Sequence, residues 1–441
     1  MEVVKLVDRR GPAAAPPFSL EAAATPETAE AISLGLRLVE RTRVLLEQYP
    51  YRLTGTDGER GLQETCAKEL ESRGGTVEWH AFGFGRSIYQ SLALHFGLAT
   101  LGSVLALWWP LVGAGVHAVV ALSYISESAR KRPLLRWVLP RVRSQNAIVT
   151  FASRGSMKHR IVTLAHADAA YTGFLFNPAM VKMAAKETKN FFGRAFRKGL
   201  ALATFSLLAI AALEVLLFFV PATLTVVRPV TWLLAVPAIA AFLLNLDVVL
   251  RDQVVPAAND NLSGCVATLE LARRLAGKLP DGIELVTVIT GCEEAGAGGA
   301  TNLARDFLAS GRWSTKNTTV LALDTFSGGD VRLLQEGELI ARPLPPRLVS
   351  LTAQVCRETP SLGEVSSYEI PSGATDAWPF LIAGFESMGI TCIDPTLGAP
   401  RNYHLPSDTA DNLDAAAFER SFLFTEKLVA ALAAERAALK G

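Results

Sequence analysis

Charged residues are scarce in this 441-residue chain, and their charges nearly cancel. Lys, Arg, Asp and Glu make up 19% of the residues, and 43 basic residues stand against 42 acidic ones. A general nucleic-acid-binding protein needs an excess of positive charge on one face. The composition therefore argues against that class, and nucleic acid is not an expected partner.

Cysteine is also scarce. The chain has five cysteines, which are scattered and show no Cys-x-x-Cys spacing. This pattern predicts neither a disulfide framework nor a thiolate zinc cluster, and it fits a reducing compartment. The N-terminus lacks the apolar stretch of a cleavable secretory signal, so the chain is expected to start in the cytoplasm. Residues 1–25 are rich in Pro and Ala without periodicity and are predicted to form a flexible arm.

Apolar residues make up half of the chain and are concentrated in two regions. Residues 89–126 form one region, divided at Trp108-Trp109-Pro110, and residues 199–250 form the other, divided by PATLTVVRP. Each half approaches the roughly 20 apolar residues that cross about 30 Å of hydrocarbon. Buried core helices are the alternative, but a soluble core seldom needs four apolar runs separated only by tight turns. We therefore predict two transmembrane hairpins in a lipid bilayer.

The basic residues around the hairpins predict their orientation. Lys and Arg are frequent after the first hairpin and before the second, whereas the turns carry only Arg228. Because Lys and Arg favour the cytoplasmic side, the hydrophilic domain is expected in the cytoplasm, at an inner membrane. Glu214 falls inside the third span and is expected to be neutral or to have a partner there. His95 and His117 of the first hairpin are the candidate partners.

The remaining residues, 26–88, 127–198 and 251–441, are predicted to form one α/β domain. Apolar runs typical of buried strands occur at 161–165, 283–290, 319–323 and 389–393, and helical patterns lie between them. The expected fold is a mixed, largely parallel sheet with helices on both faces, into which the four hydrophobic helices are inserted.

Metal-ligand residue types follow the predicted strands. They are His166, Asp168, Glu293, Glu294, Asp324 and His404, and Asp260 precedes a predicted helix. Ligands of open α/β sheets bind at the carboxyl ends of the strands, where these acids would repel one another without cations. Imidazole nitrogens and carboxylate oxygens suit two zinc ions, which would activate a water molecule. A further carboxylate must carry the proton, and the adjacent Glu293 and Glu294 provide both roles.

With these residues in place, the sequence resembles the co-catalytic zinc aminopeptidases, whose relatives include glutamate carboxypeptidases and glutaminyl cyclases. The matching stretches follow the order of the family and cover most of residues 30–435 outside the hairpins. They are YRLTGTDG, QNAIVTF, TLAHAD, AANDNLSGCVATLELARRL, VITGCEEAGAGGA, LALDTF, GATDAWPFLIAGFESMGI and YHLPSDTADNLD.

The resemblance implies a role for each candidate residue. Asp260 would bridge two Zn²⁺ ions, His166 and Asp324 would hold one ion, and Glu294 and His404 would hold the other. Glu293 would be the general base. The Asp168 carboxylate would orient His166. Asp376 and Tyr403 would line the substrate pocket. Asp408 would either support His404 or cap the next turn.

The chain departs from the family where the hairpins are inserted. His166 and Asp260 are 94 residues apart, whereas relatives have a short loop there. Both hairpins therefore leave the domain near the predicted metal centre, and the active site is expected to face the bilayer or a membrane-proximal groove. Ala169-Ala170 also replaces the small polar residues that the family has after the His-x-Asp unit.

The expected function is that of a membrane-anchored exopeptidase that removes N-terminal residues from peptides. Glutaminyl cyclisation and a carboxypeptidase-like reaction at the same site are alternatives. A catalytically inactive membrane scaffold is a third, although such a protein has no need of a complete ligand set. The hairpins could also pack against copies of themselves to form a homo-oligomer.

Overall fold

A computed structural model describes residues 33–186, 197–371 and 373–439. The predicted flexible arm, residues 1–25, lies outside the described residues. Within them, the chain forms one central sheet, helices that cover it, and four long apolar helices.

The sheet has the mixed, mostly parallel architecture predicted from the sequence. Its strands are β1 Thr76–Gly85, β2 Arg141–Phe151, β3 His159–His166, β4 Ile283–Thr290, β5 Thr318–Leu323, β6 Asp330–Gln335, β7 Ser366–Glu369 and β8 Glu386–Ile393. Their order across the sheet is β1-β2-β4-β3-β5-β8-β6-β7. The central strands β4, β3, β5 and β8 run parallel, and β1 and β2 add an antiparallel edge. The four predicted apolar strands are these four central strands.

Helices cover both faces of the sheet, as predicted, because the central strands are apolar on both sides. The helices of the α/β domain and its connections are α1 Leu34–Gln48, α2 Asp57–Glu71, α5 Pro178–Ala185, α8 Gly264–Leu275, α9 Gly298–Ala309, α10 Pro346–Glu358, α11 Ala377–Ile382 and α12 Ala415–Ala438. Along β3, Ile161 and Ala165 pack into the core with α1, α2, α8, α10 and α12. Val162 and Leu164 point to the other face and pack with α9 and α11.

The two apolar regions form four helices. In chain order they are α3 Ile88–Leu105, α4 Pro110–Ser128, α6 Gly199–Phe219 and α7 Leu224–Arg251. By length and composition, all four segments are long and apolar enough to cross a membrane. Helix α3 packs against α4 and α7, and α6 packs against α4 and α7. We call this group the helical bundle. Many large apolar side chains on its outer surface are exposed, among them Leu101, Leu122, Phe205 and Leu233.

The acidic residue inside the bundle has a partner on the other hairpin. The Glu214 carboxylate lies 2.9 Å from Nδ1 of His117, and both side chains are buried. The Nε2 atom of His117 lies 3.0 Å from the Ser103 hydroxyl. Of the two candidate partners, His95 instead contacts Ser123 at 2.8 Å. The His117–Glu214 contact therefore joins α4 and α6 at a buried polar point.

Hydrogen bonds join the bundle to the α/β domain at the ends of α4 and α7, where the chain passes from the bundle to the domain. At the end of α4, the Ser128 carbonyl accepts a hydrogen bond from the Trp378 indole at 3.2 Å. At the end of α7, the Asp247 carboxylate accepts one from the backbone N–H of Phe174 at 2.7 Å. Specific polar contacts of this kind place the bundle in a defined position against the domain.

Candidate metal centre

The predicted ligands come together at the carboxyl ends of the parallel strands. His166 is the last residue of β3, and Asp324 directly follows β5. Glu293 and Glu294 follow the end of β4, and Asp260 lies in the segment Ala258–Ser263 that leads into α8. Because parallel strands end at the same edge, their terminal residues meet there although they are distant in sequence.

Asp260 lies between the two predicted histidine ligands. Its Oδ1 atom is 3.2 Å from Nε2 of His166, and its Oδ2 atom is 3.3 Å from Nε2 of His404. Each carboxylate oxygen thus faces a different imidazole. This is the orientation that a carboxylate needs to bridge two cations.

A second carboxylate lies near each histidine. Asp324 Oδ1 is 3.9 Å from His166 Nε2, and Glu294 Oε1 is 3.6 Å from His404 Nε2. The groups His166–Asp260–Asp324 and Asp260–Glu294–His404 each offer three ligand atoms within 4.8 Å of one another. His166, Glu293 and Glu294 form a further such group. The first two groups share Asp260 and have one imidazole each, so together they fit two adjacent ions.

Buried ligand atoms in this cluster lack hydrogen-bond partners among the described residues. They are Nε2 of His166, Oε1 of Glu294 and Oδ1 of Asp324. A buried polar atom without a partner costs about 1–3 kcal/mol, and more when it is charged. A cation between these atoms would supply the missing interaction, so the residues present fit a metal centre.

The pKa values of the carboxyl groups show how much negative charge the cluster concentrates. Burial, assisted by the neighbouring Asp260, raises the pKa of Asp324 to about 8. Burial also raises the pKa of Glu294 well above its ordinary value. Burial has the same tendency at Asp260, but its contacts with the imidazoles of His166 and His404 outweigh it and lower the pKa of Asp260. Cations are the natural means of keeping all these carboxylates ionised together.

Glu293 lies beside this cluster. Its Oε2 atom is 3.9 Å from His166 Nε2, and 11% of its side chain is exposed. Burial and the nearby carboxylates Asp376 and Asp324 raise its pKa. A carboxylate in this place can reach a water molecule held between the ligands.

Asp168 fixes the backbone that carries both glutamates. Its carboxylate accepts hydrogen bonds from the backbone N–H groups of Glu293 and Glu294, both at 3.0 Å, and from the Thr54 hydroxyl at 2.9 Å. The predicted orientation of His166 by this carboxylate differs from the structure. Nδ1 of His166 lies 3.0 Å from the backbone carbonyl oxygen of Asp168 but 3.7 Å from its carboxylate, which instead accepts the three hydrogen bonds above.

Both predicted pocket residues lie at the centre. Asp376 is buried, and its Oδ2 atom accepts a hydrogen bond from the Thr290 hydroxyl, while Oδ1 has no partner among the described residues. Burial raises the pKa of Asp376 to about 6. The Tyr403 ring lies against the His404 ring, with centroids 4.0 Å apart.

Asp408 supports the segment that carries Asp260 rather than His404 or its own turn. Its two carboxylate oxygens accept hydrogen bonds from the backbone N–H groups of Asn259 and Asp260, at 2.8 and 3.1 Å. The carboxylate therefore holds the segment that presents Asp260. Neither of the alternatives considered from the sequence describes this contact.

Sequence reasoning missed two buried charged residues that hold the loops of the centre. The Arg52 guanidinium donates to the carbonyl oxygens of Ala167, Pro256 and Ala257, at 3.1, 2.9 and 3.0 Å. The Glu59 carboxylate accepts from the backbone N–H of Cys292 and from the Ser144 hydroxyl, both at 2.8 Å. Both lie in or beside the stretch YRLTGTDG, but charged residues in a turn and an amphipathic helix are usually exposed. Their burial has no local signal.

Comparison with known proteins is consistent with this geometry. Residues 246–429 match the family model of peptidase family M28. Similar solved structures include the glutaminyl cyclase of Fimbriiglobus ruber, with 16% identity, a TM-score of 0.51, and coverage of 90% of this chain and 95% of that chain. The aminopeptidase of Aneurinibacillus sp. strain AM-1 has 14% identity and a TM-score of 0.51, and the match covers 90% of this chain and 93% of that chain. The zinc aminopeptidase of Bacillus subtilis has 13% identity, a TM-score of 0.51, and coverage of 90% and 94%. Identities this low show a shared fold. No curated protein sequence matches the chain.

Proposed function

We propose that this chain is a membrane-anchored di-zinc aminopeptidase, because residues 246–429 match the model of peptidase family M28 and the solved structures with a similar fold include an aminopeptidase and a zinc aminopeptidase. The observation that carries the proposal is the position of Asp260 between His166 and His404, with each carboxylate oxygen facing one imidazole. The substrates are peptides with a free N-terminus.

The residues of the centre would hold two zinc ions in the following way. His166 and Asp324 would hold one ion, Glu294 and His404 would hold the other, and Asp260 would contribute a carboxylate oxygen to each. When bound, the ions would polarise the scissile carbonyl and lower the pKa of a water molecule. Imidazole nitrogen and carboxylate oxygen are the donor types that zinc accepts.

The protein's own residues handle the proton and the substrate. A Glu293 carboxylate oxygen takes a proton from the attacking water and passes it to the nitrogen of the leaving amine. Asp168 keeps Glu293 in place by accepting the hydrogen bond from its backbone N–H. Asp376, with one buried carboxylate oxygen free of partners among the described residues, accepts a hydrogen bond from the α-amino group of the substrate.

The four apolar helices support an integral membrane location. Each pair is joined by a short turn, so the α/β domain stays on one side of the bilayer. The basic residues beside the hairpins favour the cytoplasmic side of an inner membrane. We therefore infer that the catalytic domain is cytoplasmic.

Metal analysis combined with peptide hydrolysis tests the proposed activity. We expect detergent-purified protein to contain two zinc ions per chain and to release the first residue of unblocked dipeptides. N-acetylated dipeptides should be inert, and chelation should abolish activity until zinc is restored. Purified protein that neither contains nor takes up zinc, or that cleaves acetylated and free peptides equally, would contradict the proposal.

Glutaminyl cyclisation is the second candidate, because the solved structures with a similar fold include glutaminyl cyclases. That reaction releases ammonia from an N-terminal glutamine and leaves the peptide bonds intact. A peptide that begins with Gln-Ala distinguishes the two reactions. Free glutamine as the product indicates an aminopeptidase, whereas ammonia and an uncleaved cyclised peptide indicate the cyclase.

Cysteine labelling tests the sidedness. Ala222 in the second turn and Lys278 in the α/β domain are both exposed, so each can carry a reporter cysteine. Cys356 is partly exposed and would react with the reagent, so it is first replaced by serine. The other four cysteines are buried and are kept. In right-side-out spheroplasts, a membrane-impermeant maleimide should label Ala222→Cys at once and Lys278→Cys only after permeabilisation. The reverse pattern would place the catalytic domain outside.

A further inference from the structure

The first hairpin reaches the metal centre through Tyr89. This residue lies in the first turn of α3, where Ser87 caps the helix by accepting a hydrogen bond from the Tyr89 backbone N–H at 3.2 Å. The Tyr89 side chain is buried beside the α/β domain, with Phe176 and Tyr171 packed edge-on against its ring. A membrane helix thus places a phenol at the edge of the candidate active site.

The Tyr89 hydroxyl oxygen lies 3.2 Å from Nδ1 of His404. The other ring nitrogen of His404, Nε2, faces Asp260 and Glu294. A neutral imidazole binds a metal through the nitrogen that carries no proton, and a hydrogen-bond acceptor at the other nitrogen keeps the proton there. The Tyr89 oxygen is positioned to accept the Nδ1–H bond, which leaves Nε2 free for the metal.

His404 depends on such a side-chain partner more than His166 does. His166 ends a strand, and the backbone of its own loop accepts its Nδ1–H bond. His404 lies in a loop with a backbone φ of 53°, a conformation that non-glycine residues seldom adopt. Its ring lies against Phe176 and Tyr403. These packing contacts limit the ring's position, but only a hydrogen bond selects its tautomer.

The same hairpin also holds the loop of the neighbouring ligand Glu294. Glu127 of α4 pairs with Arg136 at 2.9 Å and accepts a hydrogen bond from the Ser91 hydroxyl of α3 at 3.0 Å. Arg136 in turn donates to the backbone carbonyl of Ala295, the residue after Glu294. The hairpin therefore contacts His404 directly through Tyr89, and it contacts the loop of Glu294 through Arg136.

We propose that the first hairpin is a structural part of the catalytic centre and that Tyr89 is the positioning residue for His404. This inference rests on the proposed zinc centre and adds an asymmetry to it. The zinc site formed by His404, Glu294 and Asp260 would depend on the first hairpin, whereas the site formed by His166, Asp324 and Asp260 would depend on the sheet. Loss of an outer partner of a metal-bound histidine usually weakens metal binding 10–100-fold.

The test compares Tyr89→Phe with the matched control Tyr171→Phe in the full-length protein in detergent. Each substitution removes one hydroxyl from the same buried cluster and keeps the aromatic ring. Stepwise zinc binding is measured by competition with a chromophoric chelator. In Tyr89→Phe we expect one zinc site to weaken about 10–100-fold while the other changes less than about twofold. Raising free zinc should restore its activity, and Tyr171→Phe should bind both ions like the wild type.

Unfolding of the zinc-free proteins is followed in parallel, and we expect similar melting temperatures for all three. Tyr89→Phe binding both ions as tightly as the wild type would overturn the inference. Equal weakening at both sites, with or without a lower melting temperature, would also overturn it, because it would indicate a general structural effect. Failure of the proposed function is a separate result, since the wild type itself would then bind no zinc.

Discussion

Replacing Glu293 by glutamine is expected to lower kcat by about two to four orders of magnitude while both zinc ions stay bound. The amide keeps the size of the side chain but cannot accept the proton of the attacking water, and general base catalysis contributes roughly 10²–10⁴-fold. Asp168 holds the backbone N–H of residue 293, a contact that the substitution leaves intact. Hydrolysis of an unblocked dipeptide under saturating substrate measures the loss, and metal analysis measures the zinc content.

Glu294→Gln is the matched control, because it makes the same chemical change at the adjacent residue. Glu294 Oε1 faces His404 Nε2, so this variant should lose affinity at one zinc site. Excess zinc should therefore recover part of the activity of Glu294→Gln and none of the activity of Glu293→Gln. A Glu293→Gln protein that retains more than about a tenth of the wild-type kcat would remove this residue from the role of general base.

Replacing Asp260 by asparagine is expected to impair both zinc sites at once. Asp260 is the carboxylate whose two oxygens face both imidazoles, so its neutralisation removes a ligand and a negative charge from each ion. Metal ions contribute several kcal/mol of transition-state stabilisation, and each 1.36 kcal/mol corresponds to a factor of ten. We expect activity to fall about 10³-fold or more, with both stepwise zinc affinities reduced.

Asp306→Asn is a suitable control, because Asp306 lies on the partly exposed surface of α9. It should leave zinc binding and activity close to those of the wild type. Retention of two zinc ions with wild-type affinity in Asp260→Asn would show that Asp260 does not bridge the ions. Weakening of only one site would assign it to a single ion.

The strands and helices could be predicted from the sequence wherever a local pattern dictates the structure. The apolar runs that became β3, β4, β5 and β8 are buried on both faces, and short apolar runs between helical patterns predict such strands. The four apolar helices could also be predicted, because their length and their low content of charged residues are properties of contiguous segments. Long helices and buried strands need no information from distant residues.

The set of candidate site residues was readable for a different reason. Parallel strands end at one edge of a sheet, so metal-ligand residue types at the ends of several strands are expected to meet. The resemblance to zinc aminopeptidases then distributed roles among His166, Asp260, Glu293, Glu294 and Asp324. The structure brings these side chains together.

The sequence by itself determined the four central strands, the apolar helices and the residue types of the centre, because periodicity, composition and strand ends are local properties. Only the tertiary structure decided which partner each polar group has. In it, the Asp168 carboxylate accepts a hydrogen bond from the backbone N–H of Glu293, and Arg52 and Glu59 are buried against the loops that carry the ligands. Glu214 pairs with His117. The tertiary structure also brought Tyr89 of the apolar helix α3 to His404, 315 residues away in the chain. Such contacts join segments distant in sequence, and a hydrogen bond depends on position and direction in space, neither of which leaves a local pattern.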